Sequence, residues 1–88
     1  MIVLDTYATT RYSYSPKRLL VWQEVCRYLN RYIIPEDANV LEIGSGYGDF
    51  IKNIKAKNRT AIEQNKAFSE HFINCSDVDV HFTDVSAI

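Results

Sequence analysis

Glycine is scarce in this 88-residue chain. There are three, Gly44, Gly46 and Gly48, and outside that five-residue window every turn is made without one. Cysteine is scarcer still: Cys26 and Cys75 stand too far apart for a disulfide scaffold or a paired-Cys zinc site. No apolar run approaches the ~20 residues of a membrane span. Ile2-Val3-Leu4 has neither a basic lead nor a long apolar stretch behind it, so it does not make a secretory signal. A reduced, cytoplasmic setting is expected. Neither sign of charge dominates, since ten Lys and Arg against eleven Asp and Glu leave a net charge of −1. That balance argues against a dedicated nucleic-acid binder, which carries a clear basic excess. The segments 1–34, 35–49, 50–66 and 67–88 carry +3, −4, +4 and −4, so no acidic or basic tail exists.

What is present is enough for one small globular domain, with 47% hydrophobic and 24% charged residues. Residues 1–14 show no useful period and predict a flexible N-terminal arm. Ser15-Pro16 is a helix start, a hydroxyl cap before Pro at the first helical position. Leu19, Trp22, Val25, Cys26, Leu29, Tyr32 and Ile33 then recur at three- and four-residue spacing, one apolar stripe that Pro35 ends. Asn39 to Ile43 reads as a strand buried on both faces. Phe50, Ile51 and Ile54 mark a short helix, and Arg59 to Glu63 a second strand. Asn65 is placed to cap a third helix with Ala67, Phe68, Phe72 and Ile73 inward. Val78, Val80 and Phe82 alternate with Asp79 and His81 as a third, half-exposed strand. Strands alternating with short helices predict an α/β fold with parallel pairing through right-handed crossovers.

Glycine is favoured where φ is positive or where backbone must approach a neighbour closely. Gathering every glycine between a buried strand and a helix therefore implies a ligand at that turn, where the amides of the helix start are unspent. The spacing is G-x-G-x-G rather than the dinucleotide G-x-G-x-x-G, and Glu42 stands two residues before the first glycine. A carboxylate at the strand end repels a pyrophosphate and attracts a cation. S-adenosylmethionine, with an ammonium, a sulfonium and no phosphate, suits that charge, and its carboxylate can use the amides of the loop.

Glu42-Ile43-Gly44-Ser45-Gly46-Tyr47-Gly48 resembles motif I of the class I S-adenosylmethionine-dependent methyltransferases, and the resemblance extends over Ser15 to Ile88. It implies that Glu63, with Gln64 beside it at the end of the second strand, chelates the ribose hydroxyls, as one carboxylate can for a vicinal diol. It implies that Asp84, just past the third strand, takes the adenine amine while Val85 offers its N–H and side chain to the ring. It further implies a Rossmann-like sheet of seven strands ordered 3-2-1-4-5-7-6, of which this chain supplies 3-2-1. A fragment, cut before strand 4, is then expected. The methyl acceptor (a small molecule, a glycan or a lipid) and any catalytic base would lie with the remaining strands, and strand 1 would offer an apolar edge for self-association. The alternative is a non-catalytic cofactor-binding or interaction module that associates through that edge. A nicotinamide dehydrogenase fragment is set aside by Glu42 and the glycine spacing.

Other residues read as structural. His71 and Cys75 are half of a metal pair that nothing completes, so Cys75 reads as core packing and His71 as solvated. His81 falls on the polar phase of its strand. Lys52, Lys55, Lys57, Arg59 and Lys66 make a solvated basic face. Trp22 belongs to the helix stripe, and Arg11, Tyr12 and Tyr14 are either a lid or part of a disordered arm.

Overall fold

A computed structural model describes residues 16–87; the expected arm, the Ser15 cap and the lid residues Arg11, Tyr12 and Tyr14 lie outside them. The elements are α1 (Pro16–Tyr32), β1 (Asn39–Ile43), α2 (Asp49–Asn53), β2 (Asn58–Ile62), a 3₁₀ helix (Lys66–Phe72), β3 (Asp79–His81) and a last 3₁₀ turn (Val85–Ala87). The strands form one parallel sheet in the order β1-β2-β3. β1 pairs with β2 from Asn39↔Asn58 to Ile43↔Ile62, and β2 with β3 from Thr60↔Asp79 to Ile62↔His81. The α/β fold and its parallel strands thus follow the sequence pattern.

Residues paired across parallel strands share a face, so Val40, Glu42, Arg59, Ala61 and Val80 look one way. On that side lies the core: Cys26 from α1, Ile51 and Ile54 from around α2, Phe72 and Val78. The other face carries Leu41 and Ile43, 57% and 60% exposed. β1 is therefore not buried on both faces. Its apolar residues alternate inward and outward, and the outward pair is left bare, although Ile62 of β2, paired with Ile43 on that face, is buried. The outer edge of β1 has no strand partner among the described residues.

α1 is closed by Ile33 and Ile34, whose amides both return to the Leu29 carbonyl just before Pro35. The predicted stripe is narrower than its sequence. Cys26 is buried and Leu19, Trp22 and Leu29 half-buried, while Val25, Tyr32 and Ile33 are exposed. The reason is that α1 packs mainly on one short helix: the Cys26 thiol donates to the Phe50 carbonyl, and Trp22 meets the Phe50 ring edge-on at 6.3 Å. Asn30 fastens the far end, donating to Lys55 O at 2.8 Å and accepting from Lys55 N at 2.9 Å.

Two members of the basic face have interior duties. Arg59 donates to the carbonyls of Lys52 and Ile51 at 2.9 and 3.1 Å, satisfying the C-terminal end of α2. It also pairs with Asp77, whose carboxyl that bond holds below its ordinary value. Lys52 donates to the His71 carbonyl and lies 4.7 Å from the centre of the Phe72 ring. Lys55, Lys57 and Lys66 are exposed, in keeping with a solvated face. The third helix is a 3₁₀ helix. Phe68 and Phe72 are buried in it, whereas Ala67 and Ile73 are exposed. Asn65 caps it, its side-chain oxygen accepting from Ala67 N. Cys75 is half-buried beside Asp77.

Candidate functional site

A cavity of about 470 Å³ opens at the carboxyl ends of the three strands, where ligands of open parallel α/β sheets bind. Its walls are the glycine loop after β1, the turn after β2, the turn after β3, and two side chains of α1. Nine of the ten residues expected at the site line it: Glu42, Gly44, Ser45, Gly46, Tyr47, Glu63, Gln64, Asp84 and Val85.

Gly48 is the tenth, and it stands outside the lining. Its φ is +82°, and a Cβ there would lie 2.6 Å from the Phe72 ring and 2.9 Å from Lys52. The third glycine thus lets the loop turn into α2 against Phe72, a packing requirement. Gly46, at φ +57°, has open space where a side chain would go.

Glu63 ties the site together. It is 6% exposed, with Oε1 accepting from Gly46 N at 2.7 Å and Oε2 from Asn65 N at 2.8 Å. One carboxylate at the end of β2 thereby joins two loops. Each oxygen keeps a lone pair for a further donor such as a hydroxyl. The Gly44 amide is likewise occupied, donating to Ile62 O at 2.7 Å. With Gly48 N donating to Ser45 O at 2.9 Å, all three glycine amides that the loop pattern offers to a ligand are engaged within the fold.

Three buried polar atoms among the described residues have no partner: Glu42 Oε1, Ser45 Oγ and Asn65 Nδ2. All three residues line this one cavity. Unpaired buried polar atoms are rare and costly in folded proteins, and all three of these belong to residues of one cavity's lining. Burial pushes the Glu42 carboxyl up to about 7; the charges of Asp49 and Glu63 add to the rise, and the Ile51 amide opposes it. Asp49 is itself buried, with its carboxylate 3.5 Å from the Arg18 guanidinium.

At the rim, Asp84 is exposed and accepts from Ser86 N at 2.9 Å and Ser86 Oγ at 2.8 Å, which lower its pKa. Val85 is 46% exposed beside it. Tyr47 stands edge-on to Phe68 at 5.0 Å and to His71 at 4.5 Å, so His71 belongs to an aromatic cluster.

Sequence reasoning missed Arg18, Trp22, Asp49, Asn65, Phe68 and Thr83 as lining residues. Arg18 and Trp22 lie four residues apart on α1, the spacing that puts them on one helix face, and that spacing was the available signal. Asn65 was legible as a cap, and nothing in the sequence marks its second amide atom. Among the described residues no three His, Cys, Asp or Glu side chains are grouped to hold a metal ion, and no helix is long and apolar enough to cross a membrane.

The fold and site define a small α/β domain with a three-stranded parallel sheet and a cavity at the strand ends that is lined by apolar side chains and a few buried polar ones. No protein-family model and no curated protein matches the chain.

Proposed function

We propose that this cavity binds S-adenosylmethionine, and that the chain is the cofactor-binding portion of a class I S-adenosylmethionine-dependent methyltransferase with a Rossmann-like sheet. The observation that carries the reading is Glu42 Oε1, a buried acceptor without a donor at the end of β1. A desolvated carboxylate favours a ligand that brings a positive charge and hydrogens, such as an ammonium group, and disfavours a pyrophosphate. Glu63 supports it further, since its spare lone pairs can accept from a ribose diol while its other bonds hold the loops.

The residues present fit the group. Glu42 would face the ammonium, Glu63 the ribose, and Asp84 and Val85 the adenine. S-adenosylmethionine supplies an electrophilic methyl on a sulfonium, and losing that charge on transfer means that no strong acid is needed on the cofactor side. The chain's own contribution is to bind and orient, which is a large share of what such a transfer requires.

Calorimetry with S-adenosylhomocysteine, and with NAD as competitor, tests the proposal. Binding that NAD does not displace is expected; displacement by NAD at similar concentration overturns it. A second reading, a non-catalytic module associating through its sheet, draws on the bare edge of β1 and the exposure of Leu41 and Ile43. Association without any binding of S-adenosylhomocysteine would favour it.

A further inference from the structure

Asn65 has more bonding capacity than its place in the fold uses. Its backbone N–H donates to Glu63 Oε2, its carbonyl accepts from Phe68 N at 3.2 Å, and its side-chain Oδ1 accepts from Ala67 N at 3.0 Å. The last bond is the cap of the 3₁₀ helix, and it fixes the orientation of the amide. The nitrogen is thereby committed as a donor, yet Asn65 Nδ2 has no acceptor although the residue is only 6% exposed. Capping does not account for it. Ser or Asp caps a helix about as well as Asn, and neither brings a buried NH₂ group that must find a partner.

The residue lines the cavity on the same loop as Glu63, and Glu42 and Ser45 line it from the end of β1 and the glycine loop. Its chemistry is the reverse of a carboxylate's. Glu42 asks for a donor, and a cationic group there is repelled by amide hydrogens. Asn65 asks for an acceptor, which the ligand must present at the Glu63 end of the space.

We propose that Asn65 is a specificity residue of the site, its Nδ2 donating to an acceptor atom on the nucleoside part of the ligand, a ring nitrogen or a sugar oxygen. The assignment rests on the cofactor reading above. Glu63 and Asn65 then act as a matched pair, one accepting from hydroxyls and the other donating. A nucleoside carries both kinds of partner close together, and a simple ammonium compound does not. Asn65 thus discriminates for the nucleoside, whereas Glu42 discriminates for charge.

The test uses Asn65→Ser and Asn65→Asp in the purified protein, with S-adenosylhomocysteine and free adenosine as probes. Both variants keep a capping oxygen and lose the NH₂ donor; the serine adds no charge. Both are expected to lower affinity at least about tenfold for the two probes alike, the loss of a hydrogen bond that leaves a buried partner unmet. Their melting temperatures should stay within about 2 °C of the parent. Unchanged affinity in Asn65→Ser overturns the proposal. So does a loss for S-adenosylhomocysteine that adenosine does not share, because the contact is then elsewhere on the ligand. An affinity loss matched by a fall in melting temperature in both variants also overturns it, returning Asn65 to the role of a cap. Parent protein that binds neither probe overturns the cofactor reading, and this proposal with it; parent protein that binds both, with variants that bind as well, overturns the assignment of Asn65 alone.

Discussion

Glu42 carries the clearest pH signature among the described residues. Its carboxyl is raised to about 7 by burial first, with Asp49 and Glu63 adding to it. A carboxyl whose folded pKa exceeds its unfolded one favours the folded state fully below the unfolded value, near 4.5, and the advantage is lost as pH rises through 7. Glu42→Gln should therefore melt at about the same temperature as the parent near pH 4 and higher at pH 8. The gain is on the order of 1 kcal/mol once solvent access to the cavity is allowed for. The same substitution should weaken binding of S-adenosylhomocysteine at pH 8. In the parent that binding should strengthen from pH 6 to pH 8 as the carboxylate forms. An equal melting difference at both pH values would contradict the burial of this charge.

The glycines separate at the same scale. Gly48→Ala puts a Cβ into Phe72 at a positive φ, which should cost about 1–3 kcal/mol of stability by strain and crowding. Gly46→Val leaves the core untouched, but it strains a φ of +57° and adds bulk in open space at the cavity wall. Its expected effect is loss of ligand binding with a smaller loss in melting temperature. Thermal melts read beside calorimetry distinguish the two; a Gly48→Ala protein as stable as the parent would remove the packing account.

Among the elements, β1 has the most to settle. Its apolar residues predict burial, and periodicity over five residues does not tell a strand covered on both faces from one whose second apolar face is left bare. The alternation of Val40 inward against Leu41 and Ile43 outward becomes legible only once α1, α2 and the 3₁₀ helix are all seen on one side. The order of elements, the strand–glycine–helix turn and the Asn65 cap were legible because each rests on local chemistry. The contribution of α1 to the cavity was not, since it depends on how that helix crosses Phe50. Nor was the 3₁₀ winding of Lys66–Phe72, whose Phe68 and Phe72 suit an α-helical spacing equally well. The β1 edge has no Pro or Lys, and the inward-facing Glu42 is its one charged device against strand addition. The protein is expected to self-associate as its concentration rises, and Leu41→Lys to shift it toward monomer in light scattering. Monomer throughout, with protected amides along Val40 to Ile43, would mean that the edge is covered.

For the whole molecule, size governs the response to ligand. An 88-residue chain melted by itself has a slim stability margin, so occupancy of its cavity should dominate its melting. Ligand at a hundred times its dissociation constant adds about 2.7 kcal/mol, which in a domain of this length raises the melting temperature by roughly 10–20 °C. A scan against S-adenosylhomocysteine, adenosine and NAD reads this directly. A shift with NAD that equals the shift with S-adenosylhomocysteine would count against the charge argument.

The carboxylate of Glu63 holds Gly46 N with one oxygen and Asn65 N with the other. Two loops from different strands are thereby stitched by a single side chain, so a displacement of either pulls on a carboxylate the other shares. Their motions become one event, and hydrogen exchange at the Gly46 and Asn65 amides should follow a common rate rather than two local ones. A ligand arriving between them meets walls whose spacing is already set, and its affinity goes into contacts rather than into ordering the loops.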